Sequence, residues 1–403
     1  MKVIVAGAGP GATSNYTGQA LECISSADVV LTAARLAESL KDLRPDVRVL
    51  GVLDTVDFIN AHKDEDMVVC VVASGDTGFY SIASTIARRS DRSVQLEFIS
   101  GIGSLSYFAS KLKLGYEDMK LVSLHGRDAS IVPHVCYNRR VFALTGGAVK
   151  AADVVKQLME AGLKDVTVHI GENLSAEDER IVTGSPGELA GQVFGDLAVV
   201  IVENKCYVNR YKTLKDGDFI RGKSPMTKEA VRNLSVAALE IQPKDIVYDI
   251  GAGTGSVTCA MAYRACESMV YAVEKEDYAV ELVRENMVKT GAKNIVIRQA
   301  LAPEGLEDFP PADKVFIGGS TGNLKEIMET ILARNDQAVF VVTAVTLETI
   351  AQSVDVCRAL GLETEITCAN ISTAQKLGRY NLMKAENPVY IIKGAKKFEN
   401  GCE

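Results

Sequence analysis

The 403-residue sequence lacks several features that would direct it to other protein classes. Its nine cysteines include no Cys-x-x-Cys pair, so neither a disulfide framework nor a zinc site is expected, and we predict no metal centre. No apolar run approaches the ~20 residues that span a bilayer, and no signal-peptide cleavage pattern follows the N-terminus. These absences predict a cytoplasmic protein with reduced thiols and no membrane association.

An excess of positive charge is also missing. The net charge is −8 and the sequence pI is near 5.3, which argues against nucleic acid as a partner. An acidic substrate would therefore need a local basic pocket. The chain is longer than one hydrophobic core usually supports, so we expect two domains of about 200 residues each.

Short β-branched runs alternate with amphipathic stretches throughout the chain. This alternation predicts an α/β fold in which largely parallel sheets carry helices on both faces. A polar stretch at 209–218 interrupts the pattern, and from it we predict an N-terminal domain at 1–204, a linker at 205–221 and a C-terminal domain at 222–403. The last seven predicted strands belong to the C-terminal domain. The predicted strands lie at 3–5, 29–31, 68–72, 96–99, 141–144, 166–170, 197–202, 246–250, 269–273, 295–298, 314–317, 338–342, 364–369 and 389–392.

A glycine-rich turn at 251–255 follows a predicted strand and precedes a predicted helix, as in nucleotide-binding folds. Ser256 stands where a dinucleotide-binding turn would have its third glycine. Asp249, before the turn, would repel phosphates but suits a sulfonium and an ammonium group. Glu274, at the end of the next predicted strand, can accept hydrogen bonds from both ribose hydroxyls. These features favour S-adenosylmethionine over NAD, and a glycine-rich turn without a ligand is the alternative.

The first half carries three turns of small residues at the ends of predicted strands, at 7–11, 74–78 and 100–104. Because the carboxyl ends of parallel strands meet at one sheet edge, these turns predict a ligand cleft there. Pro10 removes an N–H group from the first turn, which argues against a phosphate-binding helix start. The turns can also be ordinary strand–helix connections, which are commonly short and contain glycine.

The second half, from about 219 to 395, resembles the C15-methylating, decarboxylating component of the precorrin-6Y methyltransferases. The matching segments are 221–229, 249–256, 315–320 and 376–390. The resemblance implies a Rossmann-like class I methyltransferase with a seven-stranded sheet. The family usually has Gly-Asp-Ala at 300–302, where this chain has Ala300-Leu301-Ala302, so only a backbone contact near Ala302 carries over. The other implied cofactor contacts are Thr227, Gly251, Ala252, Gly253, Thr254, Gly255 and Glu274.

The first half, residues 1–204, resembles the tetrapyrrole methylase family, specifically its C5-methylating precorrin-6Y member. The resemblance implies a class III methyltransferase of two α/β lobes with a folded cofactor between them. One departure is Tyr16-Thr17-Gly18, where the family usually has Leu-Thr. The matching segments are 7–11, 74–80, 99–104, 123–127, 144–147, 171–174 and 178–181. The implied cofactor contacts are Gly9, Asp76, Ile102, Gly103, Ser104 and Gly146.

Several charged residues are candidates for substrate binding or proton transfer. His125, one of four histidines, is the single candidate for a catalytic general base, with a structural or substrate-orienting role as the alternative. The candidate cations for a polycarboxylate substrate are Lys223, Lys376, Arg379, Lys384 and Arg127. For any one exposed cation, simple solvation is the alternative.

Together the two resemblances imply an S-adenosylmethionine-dependent enzyme of corrin biosynthesis. The first domain would methylate C5 of a tetrapyrrole, and the second would methylate C15 and decarboxylate the C12 acetate. The conjugated macrocycle can itself accept the electrons released by decarboxylation, so no metal or pyridoxal is required. We also expect a homo-oligomer. The alternatives are another tetrapyrrole methylase fused to a generic methyltransferase, an NAD-dependent dehydrogenase, and a cofactor-sensing protein without activity.

Overall fold

The computed structural model of the chain describes residues 1–124, 130–318 and 322–397. His125 and Arg127 lie outside these described residues. The chain divides into two compact units, each of which is discontinuous in sequence. The first unit comprises Met1–Ala129, Arg140–Met159 and Lys164–Glu203. The second unit comprises Ser130–Arg139, Glu160–Leu163 and Asn204–Glu403.

Strands and helices alternate through the first 203 residues, as the sequence pattern predicts. Helix α6 is grouped with the second unit, and the other elements named here belong to the first. The strands are β1 (Lys2–Gly7), β2 (Val29–Thr32), β3 (Arg48–Val49), β4 (Val68–Ala73), β5 (Gln95–Ile99), β6 (Lys120–Ser123), β7 (Arg140–Leu144), β8 (Thr167–Glu172), β9 (Arg180–Gly184) and β10 (Ala198–Glu203). The helices are α1 (Gly18–Ser26), α2 (Ala34–Leu40), α3 (Val52–Ala61), α4 (Ile82–Arg89), α5 (Ser104–Leu112), α6 (Val132–Tyr137), α7 (Ala151–Glu160) and α8 (Pro186–Leu189).

The first sheet is parallel throughout, with strand order β3-β2-β4-β1-β5. Its interior strand β1 is buried on both faces. Val3 and Val5 pack into one hydrophobic cluster, together with residues of α3 and α4. Ile4 and Ala6 pack into another cluster on the opposite face, together with residues of α1. This two-sided burial is the reason that the strand is a continuous apolar run.

The second sheet of the first unit corrects the expectation of largely parallel sheets. Its order is β6-β7-β10-β8-β9, and only β6 and β7 run parallel. The other three pairs are antiparallel. The connection between β8 and β9, at 173–179, is too short for a parallel crossover, so these strands form an antiparallel pair. Strands β6 and β9 were not predicted because they are short and only partly buried.

The second unit contains a seven-stranded sheet with the order β13-β12-β11-β14-β15-β19-β16. The first five strands in this order are parallel, and β19 is antiparallel to both of its neighbours. All seven strands coincide with predicted ones. The strands of the unit are β11 (Val247–Ile250), β12 (Val270–Glu274), β13 (Ile295–Gln299), β14 (Lys314–Ile317), β15 (Val339–Ala344), β16 (Glu363–Ala369), β17 (Ser372–Leu377), β18 (Tyr380–Ala385) and β19 (Val389–Ala395). The helices are α9 (Glu229–Ala238), α10 (Ser256–Arg264), α11 (Asp277–Thr290), α12 (Leu324–Leu332) and α13 (Leu347–Ala359).

Strands β17 and β18 form a separate two-stranded ribbon that the sequence analysis did not predict. Every residue of both strands is exposed, so the ribbon has no buried face whose apolar residues would mark it as a strand pair. The ribbon connects β16 to β19. Because β16 runs in the same direction as β11, it leaves the sheet at the edge where the glycine turn lies.

Three glycines meet at the carboxyl ends of β1, β4 and β5. A Cβ atom on Gly7 would lie 2.6 Å from the Gly101 nitrogen and 2.7 Å from the Gly75 oxygen. A Cβ atom on Gly101 would overlap the Gly75 oxygen and lie 2.6 Å from the Gly7 oxygen. The backbones of these three turns therefore contact each other directly, and only glycine fits between them.

We predict that Gly101→Ala destabilises the first unit by about 2 kcal/mol or more, because the backbone must move to admit the methyl group. Urea unfolding followed by circular dichroism measures this change. The matched control is Gly18→Ala at the start of α1, where a Cβ atom meets nothing within 4 Å. The control should be neutral or slightly more stable than the wild type. Equal stability of the two variants would contradict the close approach.

Candidate cofactor sites

The three turns at the carboxyl edge of the first sheet are joined by hydrogen bonds. The Gly75 N–H donates to the Gly9 oxygen at 2.8 Å, and the Gly9 N–H donates to the Gly75 oxygen at 3.2 Å. The Asp76 carboxylate accepts from the N–H groups of Gly78 at 2.9 Å and Gly101 at 3.2 Å. The structure thus brings Gly9, Asp76 and the turn before α5 together, as expected for a ligand cleft.

The remaining predicted residues of the first unit occupy two places. Ile102 is exposed beside this cluster, Gly103 is the N-cap of α5 and Ser104 is the first residue of that helix. Gly146 lies on the second sheet, after the end of β7, where it forms a bridge with Val149.

Ser175 is a structural partner of the first turn that the sequence analysis missed. Its Oγ atom accepts the N–H of Ala12 at 3.0 Å. Ser175 itself has a φ angle of +70°, which is unusual for a residue other than glycine. The Glu179 carboxylate accepts the Ser175 N–H at 2.7 Å and the Tyr107 hydroxyl at 2.7 Å. The motif at 171–174 was noted in the sequence, but nothing in it marks the next residue as a contact.

The glycine turn of the second unit retains few free N–H groups. Gly251, Gly253 and Gly255 have φ angles of +78°, +56° and +72°. The Gly251 and Ala252 N–H groups both donate to the Val273 oxygen, at 2.9 and 3.3 Å, and the Gly255 N–H donates to the Ala252 oxygen at 2.8 Å. The Gly253 N–H donates to the Glu274 carboxylate at 2.8 Å. The turn is therefore a poor anion cradle, because a pyrophosphate needs unpaired N–H groups.

The Glu274 carboxylate occupies the end of β12 and is buried. Besides Gly253, it accepts the N–H groups of Lys275 at 2.8 Å and Glu276 at 3.0 Å. Three of its roughly four acceptor positions are thus used by the protein. One position remains for a ligand hydroxyl.

A cavity of about 260 Å³ opens beside the turn and Glu274. Its lining includes Gly251 and the buried Ala302. The side-chain amide of Asn323 also lines the cavity and donates to the Ala302 carbonyl oxygen, so that oxygen already has a partner. The space is mostly apolar, with a carboxylate at one side, which suits an adenosine. The other lining residues are Ile250, Val273, Lys275, Ala300, Leu301 and Ile327.

Asp249 faces the protein interior and is only 1% exposed. One carboxylate oxygen accepts the Thr258 hydroxyl, and the other has no hydrogen-bond partner among the described residues. Burial raises the pKa of Asp249 to about 7. The sequence favours Asp249 as a residue suited to a ligand with a sulfonium and an ammonium group, but the structure buries this carboxylate in the protein interior.

Thr227, an implied cofactor contact, immediately precedes the N-cap residue of α9. Lys228 is the N-cap residue and no side chain caps the helix. The Thr227 carbonyl oxygen accepts a hydrogen bond of 2.8 Å from the guanidinium of Arg232. Thr254, the other threonine predicted to contact the cofactor, is buried within the glycine turn.

The candidate cations of the second unit are all exposed. Lys223 precedes α9, whereas Lys376, Arg379 and Lys384 lie on the β17–β18 ribbon. Arg379 stacks on the Tyr380 ring at 5.0 Å and donates to its hydroxyl at 2.6 Å. The register pairs Thr373 with Lys384 and Lys376 with Asn381, so the two lysines point to opposite faces of the ribbon.

The described residues contain no cluster of three or more potential metal ligands. None of the described helices combines the length and the apolar character that a membrane crossing requires.

Comparison with known proteins gives two family matches that divide the chain. Residues 2–190 match the tetrapyrrole (corrin/porphyrin) methylases, and residues 218–396 match the precorrin methyltransferase domain. A probable cobalt-precorrin-6B C(15)-methyltransferase (decarboxylating) from Pyrobaculum calidifontis is 38% identical over 170 residues, which is 42% of this chain and 87% of that protein.

Two further relatives carry related names. A precorrin-6Y C(5,15)-methyltransferase [decarboxylating] from Sinorhizobium is 27% identical over 269 residues, or 66% of this chain and 65% of its own length. The crystal structure of a precorrin-6Y C5,15-methyltransferase from Geobacter metallireducens covers 46% of this chain and 96% of its own at 34% identity, with a TM-score of 0.44.

The two family matches define a methyltransferase with two unlike domains. The chain belongs to the precorrin methyltransferase family, with a tetrapyrrole methylase domain in its first half.

The burial of Asp249 leads to a pH-dependent prediction. In the folded chain Asp249 keeps its proton up to about pH 7, whereas the unfolded chain releases it near pH 4. Between these values the unfolded state binds fewer protons, so wild-type stability falls as the pH rises. Asparagine has no proton to lose. The free energy of unfolding of Asp249→Asn, measured with urea, should therefore rise by about 1 kcal/mol relative to that of the wild type as the pH goes from 6 to 8.

The control is Asp355→Asn on the exposed side of α13, whose side chain is 71% exposed. Its stability relative to the wild type should not change over this pH range. If the difference in unfolding free energy between Asp249→Asn and the wild type also stays constant over this pH range, burial does not hold Asp249 neutral.

Proposed function

We propose that the chain methylates a corrin-type tetrapyrrole at C5 and C15 and decarboxylates its C12 acetate, with S-adenosylmethionine as the methyl donor for both methylations. The observation that carries this proposal is the presence of two separate glycine-turn sites on two unlike sheets, each within a region that matches a methyltransferase family. The substrate and both activities are those named for the relatives. A cytoplasmic location and the absence of a nucleic-acid partner are expectations from the sequence.

In the second unit, the cavity beside the glycine turn would hold the adenosine of the cofactor. Glu274 would accept a ribose hydroxyl, and the main chain near Ala302 would contact the adenine. Gly251 to Gly255 would pass beside the amino-acid part, and Thr227 would approach from the segment before α9. The strand order, with the turn after the central strand β11, fits a Rossmann-like class I methyltransferase.

In the first unit, Gly9, Asp76 and the Ile102–Ser104 turn would line one side of a folded cofactor, and Gly146 would contact it from the second sheet. Asp76 orders the N–H groups of Gly78 and Gly101, so its role is to position these turns. His125 and Arg127 remain candidates for a general base and a substrate ligand.

When bound, the cofactor would supply an activated methyl group: the substrate carbon bonds to this methyl with its electron pair, the methyl–sulfur bond breaks, and the neutral thioether is the leaving group. The chain's task is to align the two and to exclude water. In the decarboxylation, the bond between the acetate methylene and its carboxylate breaks, carbon dioxide leaves, and the conjugated macrocycle takes up the electron pair. This step needs no further electron acceptor from the protein.

The β17–β18 ribbon would contribute to substrate binding because it leaves the sheet at the same edge as the glycine turn. Arg379, the separate Lys223 and whichever of Lys376 and Lys384 lies on the face toward the substrate would pair with its carboxylates. The ribbon also exposes large apolar side chains, which fits the expectation of a homo-oligomer because isolated two-stranded ribbons are marginally stable. These side chains are Leu377, Tyr380, Leu382 and Met383.

An NAD-dependent dehydrogenase is the less favoured function. The internal hydrogen bonds of Gly251, Ala252, Gly253 and Gly255 occupy the N–H groups that a pyrophosphate would need.

We predict two S-adenosylhomocysteine sites per full-length chain in a calorimetric titration. Gly253→Val should abolish one of them, because a φ angle of +56° is strained for a β-branched residue. Asp76→Ala should abolish the other by releasing the N–H groups of Gly78 and Gly101. With a tetrapyrrole substrate, mass spectrometry should find that Gly253→Val adds one methyl group and retains the acetate carboxylate.

NADH should not compete at either site. A wild-type chain with a single site, or loss of both sites in a Gly253→Val protein that is folded by circular dichroism, would overturn the proposal of two independent sites.

For the substrate, we predict that Arg379→Ala weakens tetrapyrrole binding about tenfold or more and leaves S-adenosylhomocysteine binding nearly unchanged. A charge-assisted pair contributes roughly 1.5–3 kcal/mol, which corresponds to at least a tenfold change. Arg358→Ala is the matched control, because Arg358 is an exposed arginine near the end of α13 and pairs with Asp355. If Arg379→Ala loses cofactor binding and keeps tetrapyrrole binding, Arg379 contacts the cofactor and not the substrate, which contradicts this prediction.

A further inference from the structure

The segment from Leu214 to Lys228, which we call the connecting segment, is fixed by a fully buried arginine. Arg232 on α9 is 0% exposed and stacks on the Phe219 ring at 4.8 Å. Its guanidinium donates to the Leu214 oxygen at 2.6 Å, the Thr227 oxygen at 2.8 Å and the Asp216 carboxylate at 3.1 Å. One side chain therefore holds the two ends of the connecting segment together.

A buried asparagine joins the middle of the connecting segment to the glycine turn. Asn286 on α11 is 0% exposed. Its Oδ1 atom accepts the Ile220 N–H at 2.7 Å, and its Nδ2 group donates to the Ile220 oxygen at 3.1 Å. The same Nδ2 group donates to the Thr254 oxygen at 2.8 Å. Asn286 is thus hydrogen-bonded to both segments at once, without water.

The connecting segment also passes close to the turn itself. A Cβ atom on Gly253 would lie 3.9 Å from the Pro225 oxygen. Glycines at positive φ angles give the turn several accessible backbone conformations, so contacts must select the one that binds a ligand. On one side Glu274 and Val273 make these contacts, and on the other side Asn286 makes the contact to Thr254.

We propose that Asn286 is a positioning residue for the cofactor site of the second unit. It holds the glycine turn through Thr254 and sets the connecting segment, with Thr227 and Lys223, over that turn. This inference rests on the proposed function, since it assigns the turn to S-adenosylmethionine. It extends that function by making cofactor affinity depend on a side chain that does not touch the cofactor.

The chain offers a matched control in Asn294. Asn294 is also 0% exposed, and its Nδ2 group donates to the oxygens of Ala262, Ala265 and Ser268 at 3.0–3.1 Å. It directly precedes β13, at the sheet edge opposite to the glycine turn. Removing either amide takes several buried hydrogen bonds from the same unit, so both substitutions should lower the melting temperature.

The experiment is calorimetric titration of full-length Asn286→Ala, Asn294→Ala and wild-type proteins with S-adenosylhomocysteine, below the melting temperatures found by circular dichroism. Asn286→Ala should weaken one of the two sites at least tenfold and leave the other within twofold. Asn294→Ala should leave both within twofold. Asn286→Leu, which keeps a branched side chain but has neither an acceptor for Ile220 nor a donor for Thr254, should weaken the same site as Asn286→Ala does.

Equal affinities in the Asn286 and Asn294 variants would overturn the positioning role, whether both are weakened or neither is. If Asn286→Ala does not fold, wild-type affinity in Asn286→Leu overturns it instead. A wild-type chain with no site in the second unit would contradict the proposed function, which is a different outcome from all of these.

Discussion

The internal hydrogen bonding of the glycine turn is the constraint on which the second unit depends. A turn built from glycines at positive φ can adopt many conformations, and here its N–H groups are committed to Val273, Ala252 and Glu274. These hydrogen bonds use the N–H groups that a phosphate would need. They also hold Glu274 between the turn and the start of α11, where its carboxylate can still accept one ligand hydroxyl.

The glycine-containing turns of the first unit are also held in one conformation, but by different contacts. Its turns are held by direct backbone contact among Gly7, Gly75 and Gly101, and by Asp76, whose carboxylate bridges two of the turns. In both units a carboxylate at a strand end accepts main-chain N–H groups. The two units have unlike sheets, yet each uses an acidic side chain to order glycine-rich backbone at the carboxyl edge.

The sequence predicts those parts of the fold that depend on buried apolar runs. Most strands of the large sheet follow from such runs, as do the interior strands of the first sheet. Strand β16, predicted from its β-branched residues, is exposed at every position but Ala369. The sequence does not predict β17 and β18, because fully exposed strands carry no burial pattern, or the antiparallel pairs of the second sheet, because strand direction depends on connections that composition does not reveal. The sequence places Glu274 correctly at a strand end. It could not reveal Asn286 or Ser175, whose roles come from three-dimensional contacts, or the full burial of Asp249.

The two-residue period of the β17–β18 ribbon separates cations that are close together in sequence. Lys376 shares its face with Ala374 and Met383, whereas Lys384 shares the other face with Leu382 and Tyr380. A flat molecule lying against one face is therefore out of reach of the lysine on the other. The ribbon is two-sided, with one lysine on each face, so it can contact a ligand on one side and a protein surface on the other at the same time.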